Sequence, residues 1–149
     1  MIKYHGKVDI PATVLLEAEK IKLLNYKTTT PTRFKKNTLT EDIAKDLMVD
    51  IANKIEYFPS RLDYVYFSVC KGAEPHTDNL SPMDFLDKTF VIPVILPSGW
   101  SIIKAENDMR IVEVGGIYEF NHTKIHSMEL EDTESGCVVI MVAINRWWS

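Results

Sequence analysis

His76 and Asp78 are the residues of this sequence whose types and spacing first suggest chemistry. They stand two positions apart in the segment KGAEPHTDNL. Residues two apart in an extended segment point to the same side, so one imidazole and one carboxylate can aim at one point. Two further histidines, His122 and His126, follow a pair of glycines later in the chain. Either of them could complete a set of two histidines and one carboxylate around a metal ion.

A metal ion held on one face by two histidines and a carboxylate keeps its remaining positions open. This donor set is typical of the non-haem Fe(II) oxygenases, whose open positions take the cosubstrate, dioxygen and water. The triplet His-x-Asp by itself is a short motif that often arises by chance. The prediction therefore depends on the elements that surround the motif.

The chain from residue 62 onward has the pattern of short strands separated by turns. The strand-like segments are LDYVYFSVC, FVIPVIL, WSIIKA, MRIVEV, IYEF and CVVIMVAI. Short strands that alternate with turns are typical of an all-β sandwich or barrel. Pro93 lies inside one of these segments and predicts a sheet edge or a bulge there.

Alternation along the first of these strands predicts which residues line a pocket. Tyr64, Tyr66, Ser68 and Cys70 share one face, and valine and phenylalanine occupy the other. The first face is the more polar, so we expect it to line the pocket, with the Tyr66 hydroxyl as a donor to a cosubstrate carboxylate. A tyrosine with its ring in the core and its hydroxyl at the surface would fit the same pattern.

The first third of the chain predicts two helices that support the strands. Residues 11–24 place their apolar side chains close to one helical stripe. In the second helix, Thr38 and Glu41 have the capping-box spacing, and isoleucine or leucine recurs every four residues over 43–55. Pro59 ends this helix.

Composition excludes several classes of protein. The 149 residues suffice for one domain with a core, and a net charge of −4 gives no support to general DNA binding. The most basic cluster, Arg33, Lys35 and Lys36, is better explained as a solvated loop than as a phosphate-binding patch. Cys70 and Cys137 are too few for a disulfide scaffold, so we expect reduced thiols in a cytoplasmic protein. Neither a signal peptide nor a membrane-spanning run is predicted.

The order of these features resembles that of a known superfamily. The Fe(II)/2-oxoglutarate dioxygenases of the prolyl-hydroxylase-like and aspartyl/asparaginyl-hydroxylase-like type show a strand, a glycine loop with His-x-Asp, an apolar strand, a segment with glycine, phenylalanine and histidine, and a closing strand. The matching segments here are VCKGAEPHTD, FVIPVIL, GGIYEFNHTKIHSMEL and CVVIMVAINRW. The resemblance implies a single, mainly β domain over residues 1–149. Its core, residues 62–146, would be a double-stranded β-helix (a cupin-like jelly roll), with two supporting N-terminal helices in residues 1–60.

The resemblance also implies a catalytic metal site and a cosubstrate. Carried over residue by residue, it makes His76, Asp78 and His126 the ligands of Fe(II), with 2-oxoglutarate as cosubstrate. His126 matches the distal histidine of the superfamily better than His122, because it lies just after a corner between two strands. The implied reaction couples oxidative decarboxylation of 2-oxoglutarate to hydroxylation of a protein side chain, a nucleobase or a small metabolite.

The sequence departs from the superfamily where an arginine usually binds the far carboxylate of 2-oxoglutarate. Cys137 or a neighbour stands at that place. A buried carboxylate without a cation is costly, so another cation must serve if 2-oxoglutarate binds. Lys104 is the favoured candidate, and Arg146, Lys88 and Arg110 are the others.

Two other interpretations of the same scaffold stay open. The missing arginine is consistent with a non-catalytic binding module that no longer uses 2-oxoglutarate and binds a protein or a small acid instead. The aromatic C-terminus suits a partner surface, and Trp147 and Trp148 predict a buried contact or a homodimer. A cupin-like enzyme with a different metal and no 2-oxo acid is the third interpretation.

Overall fold

Two antiparallel β-sheets stacked face to face form the body of the protein. The structure is a computed structural model that describes residues 1–25, 32–34 and 41–146. The described strands are β1 (Lys3–Lys7), β2 (Thr32–Phe34), β3 (Leu62–Cys70), β4 (Ala73–His76), β5 (Phe85–Ile95), β6 (Ser101–Ala105), β7 (Asp108–Ile111), β8 (Gly116–Phe120), β9 (His126–Leu130) and β10 (Cys137–Asn145). Two helices, α1 (Ala12–Asn25) and α2 (Glu41–Ile55), pack against one sheet, and a 3-10 turn at Pro59–Arg61 leads into β3.

The strand order identifies the architecture. The six-stranded sheet has the order β1-β8-β5-β10-β3-β2, and the four-stranded sheet has the order β4-β9-β6-β7. From β3 onward the chain passes repeatedly from one sheet to the other, and neighbouring strands are antiparallel throughout the described sheets. This is the arrangement of a jelly roll. The predicted fold class, a mainly β double-stranded β-helix with two N-terminal helices, is confirmed.

The six-stranded sheet contributes side chains to two separate cores. Along β10, Val138 and Ile140 face the helices, whereas Cys137 and Val139 face the other sheet. Successive side chains of a strand point to opposite faces, so each central strand supplies both cores. The outer core, between helices and sheet, comprises Val8, Val14, Ala18, Ile21, Ala44, Leu47, Ile51, Ala52, Ile55, Leu62, Val65, Phe67, Val69, Phe90, Ile92, Val94, Ile117, Val138, Ile140, Val142 and Ile144. The inner core, between the two sheets, comprises Ile2, Val91, Ile103, Ala105, Val112, Tyr118, Phe120, Met128, Leu130, Cys137 and Val139.

Both predicted helices are present, and each buries one apolar stripe in the outer core. The buried positions in α2 include Leu47 and Ile51, four residues apart. The predicted cap residue Thr38 and the tryptophans 147 and 148 lie outside the described residues. Among the residues that the structure describes, no helix combines the length and the apolar character needed to cross a bilayer.

Two strands in the first third of the chain are not evident from the sequence pattern. β1 pairs with β8 at one edge of the six-stranded sheet, and β2 pairs with β3 at the other edge. In the second pairing, Arg33 stands opposite Ser68. Short strands at a sheet edge have little apolar alternation to mark them, which is why they read as irregular segments. Lys35 and Lys36 of the predicted basic cluster lie outside the described residues.

Pro93 marks a bulge within the six-stranded sheet. β5 lies between β8 and β10, so the expectation of a sheet edge is wrong and that of a bulge is confirmed. Val138 pairs with Ile95 and Val139 pairs with Pro93, which leaves Val94 as the extra residue. The pairing of β5 with β8 ends before Pro93, where the missing N–H of proline is tolerated.

Candidate metal centre

His76 and His126 face each other across two neighbouring strands of the four-stranded sheet. His76 is the last residue of β4, His126 is the first residue of β9, and the two stand directly opposite in register. Residues directly opposite on adjacent strands present their side chains on the same face. Their rings accordingly lie side by side, with centroids 4.3 Å apart.

Gly72 allows β4 to reach its position beside β9. The backbone at Gly72 has a φ of +108°, a conformation that glycine adopts without strain. A Cβ atom at this position would lie 2.9 Å from the carbonyl oxygen of Met128 on β9. Glycine therefore permits both the turn out of β3 and the close approach of β4 to β9, which together set the position of His76.

Asp78 places its carboxylate between the two imidazoles. Its Oδ1 lies 3.4 Å from Nε2 of His76, and its Oδ2 lies 3.3 Å from Nε2 of His126. One ligand atom from each of the three residues lies within 4.8 Å of the other two. An ion bonded at about 2.1 Å to three atoms on one face of an octahedron holds them about 3 Å apart. The two carboxylate–imidazole distances are close to this value, so the three residues could hold a small metal ion.

The far ring nitrogens orient both imidazoles. Nδ1 of His76 donates to the carbonyl oxygen of Glu74 at 2.6 Å, and Nδ1 of His126 donates to that of Lys124 at 2.9 Å. A carbonyl oxygen only accepts, so each Nδ1 carries a proton and each Nε2 of a neutral ring keeps its lone pair. These lone pairs face the Asp78 carboxylate, in the orientation expected of metal-ligating histidines.

Burial of two of the three side chains favours a proton or a metal ion beside this group of acceptors. The side chains of His126 and Asp78 are each only 5% exposed, and the Phe120 ring centroid lies 4.6 Å from that of His126. Nε2 of His126 is buried and forms no hydrogen bond with any residue that the structure describes. Buried lone pairs that face a carboxylate are stable only with a proton or a metal ion between them. The three residues therefore fit a metal ion.

His122 connects the Asp78 loop to β5. It is buried, and its Nδ1 lies 3.2 Å from the Thr89 hydroxyl on β5. Burial lowers the pKa of His122, which favours the neutral imidazole. Its carbonyl oxygen accepts the backbone N–H of Asp78 at 3.0 Å. β5 thus positions the Asp78 loop through His122.

A cavity of about 60 Å³ lies between the two sheets beside the three residues. Besides the histidines and Asp78, its polar lining consists of Tyr66, Ser68 and Ser127. Its apolar walls are formed by Ala73, Val91, Ile103, Phe120, Met128, Val139 and Met141. None of the described side chains that line it is a lysine or an arginine. The cavity is therefore a mostly apolar chamber with one strongly polar end.

The structure places Tyr66 and Ser68 at the cavity, as alternation along β3 predicts. Tyr66 is 6% exposed, so its ring lies within the cavity wall rather than at the surface. The side chains of Tyr64 and Cys70, which share that face by sequence, lie outside the described part of the structure.

Lys104 and Arg146, the predicted cosubstrate-binding cations, are not among the residues that line the cavity. Lys104 follows the inward-facing Ile103 on β6, so it points to the opposite face, where its Nζ donates to the Glu129 carboxylate at 3.0 Å. Arg146 follows β10, is exposed, and donates through Nε to the carbonyl oxygen of Pro82 at 3.0 Å. Alternate residues of a strand face inward, but the sequence does not say which alternate set. In β6 both sets contain apolar residues, so the pattern leaves the inward-facing set open.

The other candidate cations lie away from the cavity as well. Lys88 donates to the Tyr57 hydroxyl at 3.2 Å, and Arg110 is exposed on β7. Cys137 is buried, and its Sγ donates to Sδ of Met128 at 3.9 Å. This sulfur pair lies near the place where the resemblance to the superfamily predicts an arginine.

Comparison with known proteins bears on the fold. No protein-family model and no curated protein matches the sequence. Among solved structures, the chain is similar to the non-haem α-ketoglutarate-dependent epimerase SnoN from nogalamycin biosynthesis, with a TM-score of 0.62 and 15% identity over 90% of this chain and 70% of that chain. A prolyl hydroxylase from Trichoplax adhaerens has a TM-score of 0.60 and 8% identity over 97% of this chain and 83% of that one. A Pseudomonas putida prolyl-4-hydroxylase has a TM-score of 0.52 and 12% identity over 99% and 92%.

The chain has the double-stranded β-helix fold of the Fe(II)/2-oxoglutarate oxygenases. At identities of 15% or lower, the likeness establishes the fold alone. The resemblance inferred from the order of sequence motifs is confirmed to that extent.

Several parts of this β-helix site are not evident from the sequence. The carbonyl groups of Glu74 and Lys124 orient the histidines, but backbone partners leave no side-chain signature that a pattern could reveal. Met128 and Met141 line the cavity, and the position of Met128 could have been predicted from the sequence. It follows His126 by two positions on β9, so alternation alone places it on the same face.

Proposed function

We propose that this protein is a non-haem Fe(II)-dependent oxygenase that uses 2-oxoglutarate and hydroxylates an organic substrate. The observation that carries the proposal is the convergence of His76, Asp78 and His126 on one point beside a cavity. Two histidines and a carboxylate on one face of an ion are the donor set of the Fe(II) oxygenases. The fold shared with enzymes described as prolyl hydroxylases supports hydroxylation as the reaction.

The residues around the site would each have a definite task. His76, Asp78 and His126 would hold Fe(II), which, with a bound 2-oxo acid, supplies the chemistry that activates dioxygen. The carbonyl oxygens of Glu74 and Lys124 keep the imidazoles oriented with Nε2 toward the ion. The apolar cavity walls exclude bulk water from the site.

Tyr66 and Ser68 are the groups we propose for cosubstrate binding. Both line the cavity on β3, across from the four-stranded sheet that carries the histidines. Each hydroxyl can donate a hydrogen bond to a carboxylate oxygen. Two neutral donors bind a buried carboxylate less strongly than a guanidinium does, so we expect weaker 2-oxoglutarate binding than an arginine at the Cys137 position would give.

The substrate is proposed only as a class: a protein side chain, a nucleobase or a small metabolite. A cytoplasmic location is part of the proposal, since reduced thiols persist in that compartment and two cysteines are too few for a disulfide scaffold.

One specific observation favours the alternative of a non-catalytic binding module. None of the described side chains that line the cavity is a lysine or an arginine, as expected if 2-oxoglutarate binding had been lost. Such a module would keep the fold but would have no need of a metal ion. Metal binding is therefore the measurement that separates the two functions.

The experiment is a titration of the purified protein with Fe(II) in the absence of oxygen, followed by 2-oxoglutarate. We expect a visible metal-to-ligand charge-transfer band to appear with 2-oxoglutarate in the natural protein and to be absent in His76→Ala. His5→Ala is the matched control, because His5 lies on β1 and pairs with Glu119 at 2.8 Å, away from the cavity. It should keep the band.

Two other outcomes would contradict the proposal. Fe(II) binding without any response to 2-oxoglutarate would favour a cupin-like enzyme that uses no 2-oxo acid. No Fe(II) binding at all would favour the non-catalytic binding module.

A further inference from the structure

The only two cysteines of the chain stand directly opposite each other on neighbouring strands. Cys70 is the last residue of β3, and Cys137 is the first residue of β10. The two strands are antiparallel, and their register makes these two residues Cα partners. The six-stranded sheet thus brings together two cysteines that lie far apart in the sequence.

The backbone at this pair meets the distance requirement of a disulfide. Directly opposite residues of antiparallel strands have Cα atoms about 4.5–5.5 Å apart, and disulfides join residues whose Cα atoms are about 4.4–6.8 Å apart. Directly opposite residues also lie on the same face of the sheet. That face is the inner one, because Cys137 belongs to the inner core. A bond between the two sulfurs therefore requires no change in the pairing of the strands.

The same geometry predicts that such a bond would be easy to reduce. Directly opposite residues have Cβ atoms about 4.5–5.5 Å apart, whereas a disulfide holds them about 3.8 Å apart. The strand ends must be drawn together, which strains the bond and makes it more reducible. Strained disulfides are the labile and regulatory ones, and disulfides of cytoplasmic proteins are usually transient. A reversible bond is therefore compatible with the reduced thiols predicted for this protein.

We infer that Cys70 and Cys137 form a reversible cross-strand disulfide when the protein meets a low-molecular-weight disulfide such as oxidised glutathione. Two S–H bonds of the protein break and one S–S bond forms, while the glutathione disulfide is split into two thiols. Two electrons and two protons pass to glutathione, so no further reactant is needed. Cys137 is fully buried, but both residues end their strands, where local opening gives the oxidant access.

The disulfide would change one wall of the cavity. Sγ of Cys137 lies 3.9 Å from Sδ of Met128, which lines the cavity and follows His126 by two positions on β9. The new bond would draw this sulfur toward β3 and away from Met128, so β9 would lose a packing contact close to a candidate ligand. We therefore expect the oxidised protein to bind Fe(II) more weakly. This effect rests on the proposed function, whereas the disulfide itself does not.

The test is to incubate the purified, reduced protein with oxidised glutathione, alkylate the remaining thiols in denaturant, and analyse the product by mass spectrometry. We expect both thiols to be lost, the mass to fall by about 2 Da, and a pair of peptides to be joined through Cys70 and Cys137. Excess dithiothreitol should restore two thiols. Titration of both forms with Fe(II) in the absence of oxygen measures the effect on the metal centre.

A matched control moves one cysteine by a single position along β3. In the double variant Val69→Cys, Cys70→Ser, the cysteine of β3 takes the register position opposite Val138, on the face toward the outer core. Successive residues of a strand lie on opposite faces, so this cysteine and Cys137 should not join. Each cysteine should keep its thiol or carry one glutathione. Urea denaturation shows whether the variant is folded.

The possible results separate the disulfide from the proposed function. Glutathione adducts without joined peptides, two unreacted thiols, or an equal yield of the internal disulfide in the folded control variant would each overturn the inference. Equal Fe(II) affinity of the reduced and oxidised forms would reject the effect on the metal centre and leave the disulfide intact. Absence of Fe(II) binding in both forms would reject the proposed function alone.

Discussion

The outer core and the inner core share the central strands of the six-stranded sheet, yet they differ in kind. The outer core, between helices and six-stranded sheet, consists of apolar side chains, and its members on β10 are almost fully buried. The inner core, between the sheets, gives way at one end to the cavity and to His76, Asp78 and His126. Alternate residues of a single strand such as β10 thus face the filled outer core on one side and the cavity on the other.

The physical reason for this division is the cost of a polar site inside a protein. Buried imidazoles and a buried carboxylate lose their hydration, and an open cavity forgoes packing contacts. A domain of this size has only about 5–15 kcal/mol of net stability to offset such costs. The filled outer core supplies the stability that the inner site does not. The two cores should therefore respond differently to substitution.

The largest loss of stability is expected from truncation of the outer core. Phe67 on β3 is fully buried there, so Phe67→Ala should lower the free energy of unfolding by about 3–5 kcal/mol. Urea denaturation of the metal-free protein measures this. The metal affinity of the fraction that remains folded should be unchanged, and a parallel loss of metal affinity would show that the two cores are not separable.

Substitution of a candidate metal ligand should lower metal affinity much more than it lowers stability. Asp78→Asn keeps the shape of the side chain and the backbone hydrogen bond to His122 but removes the carboxylate charge. Fe(II) affinity should fall by more than about 100-fold, whereas the metal-free protein should lose far less stability than Phe67→Ala does. Calorimetric titration and urea denaturation give the two quantities. Retention of Fe(II) affinity would show that Asp78 is not a ligand.

Two neighbouring valines on β10 offer the closest comparison of the cores. Val138→Ala removes buried apolar groups from the filled outer core and should cost about 2 kcal/mol. Val139→Ala removes the same groups from the cavity wall, where packing is already incomplete, and should cost about 1 kcal/mol. Equal losses in denaturation experiments would mean that the cavity wall is packed as tightly as the outer core.

The smallest effect is expected on the outer face of the four-stranded sheet. Lys104→Met breaks an exposed ion pair with Glu129 and should change the stability by less than about 1 kcal/mol. The 2-oxoglutarate concentration that half-saturates the charge-transfer band should be unchanged, because Lys104 lies outside the cavity. A marked weakening would return Lys104 to the cosubstrate site.

Much of the fold could be predicted from the sequence, for an identifiable reason. Period-four spacing over residues 43–55 specifies the apolar stripe of α2, and short apolar runs between turns specify the strands of a jelly roll. β1 and β2 escaped prediction because edge strands carry little alternation. The bulge at Pro93 was predictable, but its position inside the sheet was not, since strand order depends on contacts between distant segments.

The candidate site likewise has a part that the sequence predicts and a part that depends on the tertiary structure. The spacing of His76 and Asp78 is a local property, and residues two apart in an extended segment share a side whatever the rest of the chain does. That His126 joins them, and His122 does not, depends on the register of β4 with β9. The outward position of Lys104 depends on the phase of β6, which is set by packing against the other sheet.

The sequence by itself determined the two helices, most strands of the jelly roll and two of the three candidate ligands, because propensity and spacing act over a few residues. Only the tertiary structure brought His126 beside His76 and Asp78, decided which faces of the strands line the cavity, and placed Lys104 and Arg146 outside it. These outcomes follow from register and sheet stacking, which bring together residues far apart in the chain.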